Sequence, residues 1–468
     1  MKALLLSLSL LCNVLVSSGQ SGERYDITLE VADLKDSVVY LGNYFGEKRY
    51  YKDTSDVSMN GLVNFSKPGR LEKGVYFIYS PTFYLEFIVN EQQFKLKTSK
   101  TDPYGDMVIE NSFENEVHRI FQLTMKDHQV KTREISNKLK DAATRGDSLE
   151  LFDSAKELGL INRSKRDSLQ ELYPDTYVAY LLHLMKNPQP DFNDPDLSSE
   201  ERKRRYLNYK NGYLDGIDFE DEGSIRAPIF HSKVVEYVDK VTVQNPDSVV
   251  ASVDEILQKS INNEEMLRYW TVFFFKKYQS SKIMGLDKAF VHIAQNYYLK
   301  GLAPWADAEM IEKLEEEMDF HRENQMGMPA PRLYLLDTLL DQFSLRSVAA
   351  DYTVLYFYRP SCGHCRKSSP IMLDTYHALQ ADGVEVMGVN VDTDIDEWKE
   401  FIDEFQLDWI NAADPFTRSN FRRQFNVRST PTVYVLDREK TIIAKKLGVE
   451  QIEGFLRDRI EFDRRDKM

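Results

Sequence analysis

Thr353-Val354-Leu355-Tyr356-Phe357-Tyr358, followed closely by Ser361-Cys362-Gly363-His364-Cys365-Arg366, decides how this chain is read. The first run is β-branched and aromatic, the composition of a buried strand, and Arg366 to Leu379 beyond the cysteines is helical in composition. A strand that ends where a helix begins places Cys362 at the helix N-terminus. There, unpaired N–H groups and the positive dipole end favour a thiolate. Cys365, one turn further in, is spaced to attack a mixed disulfide on Cys362 and release the partner. Gly363 allows close backbone approach. His364 can bring positive charge to the thiolate, stabilising the reduced form and making the couple more oxidising.

Cysteine usage points the same way. The chain has three cysteines, Cys12, Cys362 and Cys365, and the first lies in an N-terminal leader. A secreted protein held together by disulfides would scatter its cysteines. A Cys-x-x-Cys pair closes so small a loop that it constrains the unfolded chain little, so chemistry is the better reason for it.

Working outward, Val384 to Val391 is a second apolar strand, and Trp398, Phe401, Ile402 and Phe405 fall at helical spacing. Thr432 to Leu436 and Thr441 to Leu447 read as strands joined by the turn Asp437 to Lys440, and Val449 to Ile460 closes with a helix. This order gives a C-terminal α/β sandwich over residues 326–468. Upstream, residues 113–322 are rich in Glu, Lys, Leu and Ala and read as an all-α region. Pro246-Asp247-Ser248 marks a helix start there, and Asn187 to Asp196 reads as a loop. The six-residue apolar run Trp270–Phe275 reads as a buried helix segment, too short for a membrane span. Residues 24–112 read as an all-β sandwich: Tyr25, Ile27, Leu29 and Val31 alternate with polar neighbours, and Asn60-Gly61 and Pro68-Gly69 punctuate the strands.

Residues 1–19 read as a signal peptide, with Lys2 as n-region, Ala3 to Val16 as apolar core and cleavage before Gln20. Cys12 follows Leu11 rather than a small residue, so it reads as part of the leader and not as a lipid attachment point. The mature chain then carries no transmembrane helix. A formal net charge of -15 repels phosphate backbones and argues against nucleic acid as a partner. A mean hydropathy of -0.47 argues against a polytopic membrane protein.

Further matches give the C-terminal part a family likeness. Pro370 lies five residues after Cys365, where thioredoxins carry a helix-kinking proline. Ser429-Thr430-Pro431-Thr432 lies where they carry a cis-proline loop. Cys362-Gly363-His364-Cys365 is the tetrapeptide of protein disulfide isomerases. The segment resembles a thioredoxin fold. The opening motif Gly327-x-x-Ala330-Pro331-x-Leu333-x-Leu335-Leu336-Asp337 and the insertion Asp392 to Asp414 resemble its TlpA/ResA and AhpC/TSA branch. The whole arrangement resembles envelope thioredoxin-like proteins of Bacteroidetes.

That resemblance implies a cis Thr430–Pro431 bond, with Thr430, Pro431 and Gly363 at the substrate and Cys362–Cys365 as redox-active disulfide. It implies protein substrates bearing thiols or disulfides, a membrane thiol relay as redox partner, no cofactor, and a periplasmic or envelope location.

Two departures stand out. Tyr356 occupies the position of the buried carboxylate that handles the proton of the second cysteine, leaving Asp392 as a poor substitute acid; a structural Asp at the strand end is the better reading. Ser361 replaces the usual Trp before the first cysteine. Zinc is disfavoured by the lack of a second Cys pair, and haem attachment by Arg366 where His would follow. A peroxidase would want Thr at the position of Arg359. The alternatives are an envelope binding or scaffold protein in which residues 24–322 do the work and the redox unit is secondary, or, ranked below it, a peroxiredoxin-like peroxidase.

Overall fold

The computed structural model describes residues 23–141 and 144–466. The leader, its cleavage point and Cys12 lie outside the described residues. The chain divides into two compact units, one of Met1–Pro190 with Asp215–Lys233, the other of Asp191–Leu214 with Val234–Met468.

The first unit opens with eight strands: β1 (Arg24–Ala32), β2 (Val38–Phe45), β3 (Lys48–Asp56), β4 (Leu62–Pro68), β5 (Gly74–Ser80), β6 (Phe83–Val89), β7 (Gln93–Ser99) and β8 (Val108–Glu110). They form two four-stranded sheets, ordered β4-β1-β7-β8 and β3-β2-β5-β6. Burial alternates along β1 because Ile27 and Leu29 pair with Phe65 and Val63 on one side and with Phe94 and Leu96 on the other. All six side chains share one core. Three helices follow, α1 (Phe113–Lys140), α2 (Arg145–Leu172) and α3 (Tyr177–Leu184). Ser112 caps α1, and the Asn115 side chain holds both the N–H and the C=O of Ile88, tying the helix to β6.

Helix α4 (Ser199–Asn211) belongs to the second unit, and α5 (Pro228–Glu236) spans the division. Then come α6 (Pro246–Lys259), α7 (Glu264–Gln279), α8 (Asp287–Ile293) and α9 (Ala308–Asp319). Trp270 and Phe274 of α7 are fully buried and stacked on one another, so the apolar run is a core helix. Among the described residues no helix is long and apolar enough to cross a membrane.

The second unit ends in a seven-stranded sheet. Its strands are β9 (Tyr334–Leu336), β10 (Gln342–Ser344), β11 (Tyr352–Tyr358), β12 (Val384–Asn390), β13 (Ile410–Ala413), β14 (Thr432–Leu436) and β15 (Ile442–Lys445). Their order is β10-β9-β13-β12-β11-β14-β15, with β11 parallel to β12 and antiparallel to β14. Helices α10 (Gly363–Leu379), α11 (Ile395–Phe405), α12 (Phe421–Gln424) and α13 (Val449–Asp466) complete it.

Every residue of β11 is buried. Val354, Tyr356 and Tyr358 face a core with Met372, Trp398 and Leu456, while Leu355 and Phe357 face Phe421, Phe425 and Tyr434. Burial on both faces is why this strand is a continuous apolar run rather than an alternating one. The extra helix and strand after β12 belong to this core. Trp398 of α11 donates its indole N–H to the Tyr358 hydroxyl at 2.9 Å, and β13 extends the sheet parallel to β12. Gly388 of β12 is needed there, since a Cβ would lie 2.4 Å from the Trp409 indole nitrogen. The fold class is thus multidomain: two N-terminal sheets, a helical middle and a C-terminal thioredoxin-like α/β sheet.

Candidate functional site

The two cysteines sit at the carboxyl end of β11, where the chain turns from the buried strand into α10. Cys362 is the N-cap residue of that helix: its backbone is extended, and its carbonyl accepts from Arg366 N at 3.0 Å. Its side chain is half-buried and its Sγ lies 3.5 Å from the carbonyl of Thr430. Cys365, inside the first turn, is fully buried. Both are free thiols. Thr430–Pro431 is a cis bond. Pro370 lies inside α10. The structure therefore brings Cys362, Cys365, Thr430 and Pro431 together from positions up to 69 residues apart.

The environment splits the two thiols. Burial works against the thiolate of Cys362, but the N–H groups of Cys365 and His364, the Thr430 side chain and the Cys365 thiol outweigh it and hold the pKa below the ordinary value. Burial dominates at Cys365 and pushes its thiol up to about 11, with the neighbouring Cys362 adding to the rise. One thiol is half open and more readily ionised than an ordinary cysteine; the other is a protonated thiol under the surface.

The His364 side chain is exposed, and this residue favours the thiolate through its backbone N–H. Gly363 is under no packing demand, since a Cβ there would meet nothing within 4 Å. The space above it is open to a partner.

The position of the missing carboxylate holds a local network. Tyr356 is fully buried, and its hydroxyl lies 2.9 Å from Ser368 Oγ and 3.0 Å from Ser369 Oγ, both on α10. Burial raises its pKa to about 12, so it is a neutral hydrogen-bonding group at any ordinary pH. Asp392 is engaged elsewhere, 3.1 Å from the Arg359 guanidinium, which fits a structural role. Arg366 lies over the rings of Phe401 and Phe405 and pairs with Glu404, fastening α10 to α11. Ser368 and Ser369 have no signature in the sequence because a hydroxyl pair on a helix shows none until its partner on the underlying strand is known.

No group of three or more His, Cys, Asp or Glu side chains among the described residues is placed to hold a metal ion.

Residues 326–445 match the AhpC/TSA family. This segment is an AhpC/TSA thioredoxin-like domain. Upstream of the AhpC/TSA domain, residues 193–324 match a domain of unknown function, DUF5106. The thiol-disulfide oxidoreductase ResA of Bacillus cereus is 26% identical over 135 residues, covering 28% of this chain and 77% of that protein. A solved domain of a possible thiol-disulfide isomerase from Cytophaga hutchinsonii is 33% identical, covering 31% of this chain and 97% of that one, with a TM-score of 0.29. A thioredoxin-like protein from Bacteroides caccae is 19% identical over 58% of this chain and 98% of its own, with a TM-score of 0.44. The family match and the ResA relative support oxidoreductase activity of the thioredoxin-like, thiol–disulfide class.

Proposed function

We propose that this chain is an exported thiol–disulfide oxidoreductase that acts on protein disulfides through Cys362 and Cys365. The observation that carries the reading is the split between the thiols: a half-open cysteine at a helix N-terminus with lowered pKa, beside a buried one raised to about 11. The Cys362 thiolate attacks one sulfur of a substrate disulfide, forming a mixed disulfide and releasing one substrate thiolate. Cys365 gives up its proton and attacks Cys362 Sγ, closing the Cys362–Cys365 disulfide and releasing the second substrate thiolate. The substrate gains two electrons, the dithiol loses two, and run backwards the same steps oxidise a substrate dithiol. Thr430, Pro431 and Gly363 are the substrate-facing positions, and His364 contributes its N–H to the thiolate.

Regeneration needs a thiol or disulfide partner, for which a membrane thiol relay is the reading consistent with a cell-envelope location. The leader at residues 1–19 and the ResA relatives support that location. We assign residues 24–112, 113–322 and 326–468 as β, helical and redox segments.

The test is trapping. Full-length protein carrying Cys365→Ser, mixed with a disulfide-bonded protein such as insulin, should accumulate a mixed disulfide at Cys362, visible as a reductant-sensitive adduct. Cys362→Ser should form no adduct, and turnover should fall to background. An adduct that persists in Cys362→Ser, or wild-type protein unable to exchange with any disulfide, would overturn the reading.

A further inference from the structure

Beside the cis-proline loop lies a cavity of about 710 Å³ that the redox chemistry does not use. Ser429 and Pro431 form part of one wall, and Pro431 is the neighbour of Thr430, whose carbonyl faces Cys362 Sγ at 3.5 Å. A polypeptide joined to Cys362 through sulfur therefore begins at the edge of this cavity. Another part of the wall is the connection between α7 and α8, Ser281 to Gly285, which belongs to the helical segment of the same compact unit.

That wall is fixed in place. Lys445 of β15 is almost fully buried, 2.6 Å from Asp287 at the start of α8, and donates to the Asn324 carbonyl at 3.1 Å. Asn324 donates in turn to the Gln424 carbonyl at 2.8 Å, and Glu317 of α9 pairs with Arg428 at 2.7 Å. A buried ion pair is a demanding arrangement, since each charge gives up water and needs its partner in register. Here it clamps the connection against the strand next to the cis-proline strand.

The charges lining the cavity do not cancel. Lys282, Arg428, Lys445 and Lys446 face Asp287 and Glu317. Lys445 uses Asp287 and Arg428 uses Glu317. Lys282 and Lys446 both line the cavity and are exposed, with no ion-pair partner among the described residues. A basic cleft in a chain of net charge -15 is a local reversal of sign, and such a reversal selects partners by charge. Ile283, which is 59% exposed, and Leu447 add apolar surface to the same lining.

We infer that this cavity is a docking cleft for the polypeptide flanking the substrate disulfide, and that it selects acidic segments through Lys282 and Lys446. The inference rests on the thiol–disulfide reading and adds the substrate class. The loop residues 281–285, between α7 and α8, become part of the substrate site.

The experiment compares two peptides with the same intramolecular disulfide, one flanked by Glu and Asp, the other by Lys and Gln. Turnover by full-length protein is read as kcat/KM, with a small aromatic disulfide as a third substrate. The acidic peptide should be preferred by about tenfold at low salt, the size expected for two surface charge contacts. That preference should shrink as ionic strength rises. In the double variant Lys282→Glu/Lys446→Glu the ratio should fall below one. The ratio is taken within each preparation, so any loss of folded protein cancels. A wild-type ratio near one, or a ratio that the charge reversal leaves in place, overturns the docking cleft while the redox reading stands. Failure to turn over all three substrates, the small disulfide included, overturns the redox reading and the cleft with it.

Discussion

The N-terminal sheets and the C-terminal sheet solve different burial problems. β1 hides one face and shows the other, and the outer face of the β3-β2-β5-β6 sheet leaves Tyr51 61% exposed among Tyr40, Phe77 and Tyr79. β11 hides both faces, with helices on one side and a second core on the other. A one-faced sheet can carry polar or aromatic groups anywhere along its outer surface. A two-faced sheet can present chemistry only where its strands end and its loops begin. The cysteines and the cis-proline loop sit at such an end, beside the buried strand that fixes their positions.

Four substitutions probe this contrast. Trp398 is fully buried against β11 and donates to the Tyr358 hydroxyl, so Trp398→Ala should cost about 4 kcal/mol in urea unfolding of the second unit. Lys445→Met leaves Asp287 largely buried without its strongest cation and should cost roughly 3 kcal/mol.

The pH dependence of that variant fixes the sign. Burial opposes the Asp287 carboxylate, but His321 and Lys445 overcome it and hold its pKa at about 2, below the unfolded value. Its stabilisation is complete above the unfolded carboxylate range and disappears as pH falls through about 2. Acid unfolding of Lys445→Met should therefore differ most from wild type at neutral pH and converge with it at the acid end.

Tyr356→Phe removes the hydroxyl shared with Ser368 and Ser369; about 1 kcal/mol should be lost, with slower closure of the Cys362–Cys365 disulfide read by stopped-flow. Tyr51→Ala on the open sheet should change stability by less than about 0.5 kcal/mol. A Tyr51 effect as large as that of Trp398 would break the comparison.

What the sequence disclosed follows the same division. Alternation in β1 and continuity in β11 are local properties of the chain, and both could be read directly. So could the turn from strand to helix at Cys362, because proline and cysteine spacings are local too. The Asp287–Lys445 pair joins residues 158 apart in a helix start and a strand, and no periodicity connects them. The Tyr356–Ser368–Ser369 cluster is hidden for the same reason. The contribution of the His364 backbone N–H to Cys362 is equally hidden, since every residue except proline carries that group.

The depth of Cys365 has a temporal consequence. Burial pushes this thiol up to about 11, so the Cys365 thiolate is scarce at neutral pH. On the proposed chemistry the first exchange, at Cys362, runs ahead of the second, and the enzyme–substrate adduct dwells until that proton leaves. During the dwell a free thiol on the substrate can attack the adduct first, rearranging the substrate's pairing without net electron transfer. One buried proton thus works as a clock that partitions each encounter between shuffling a disulfide and removing it.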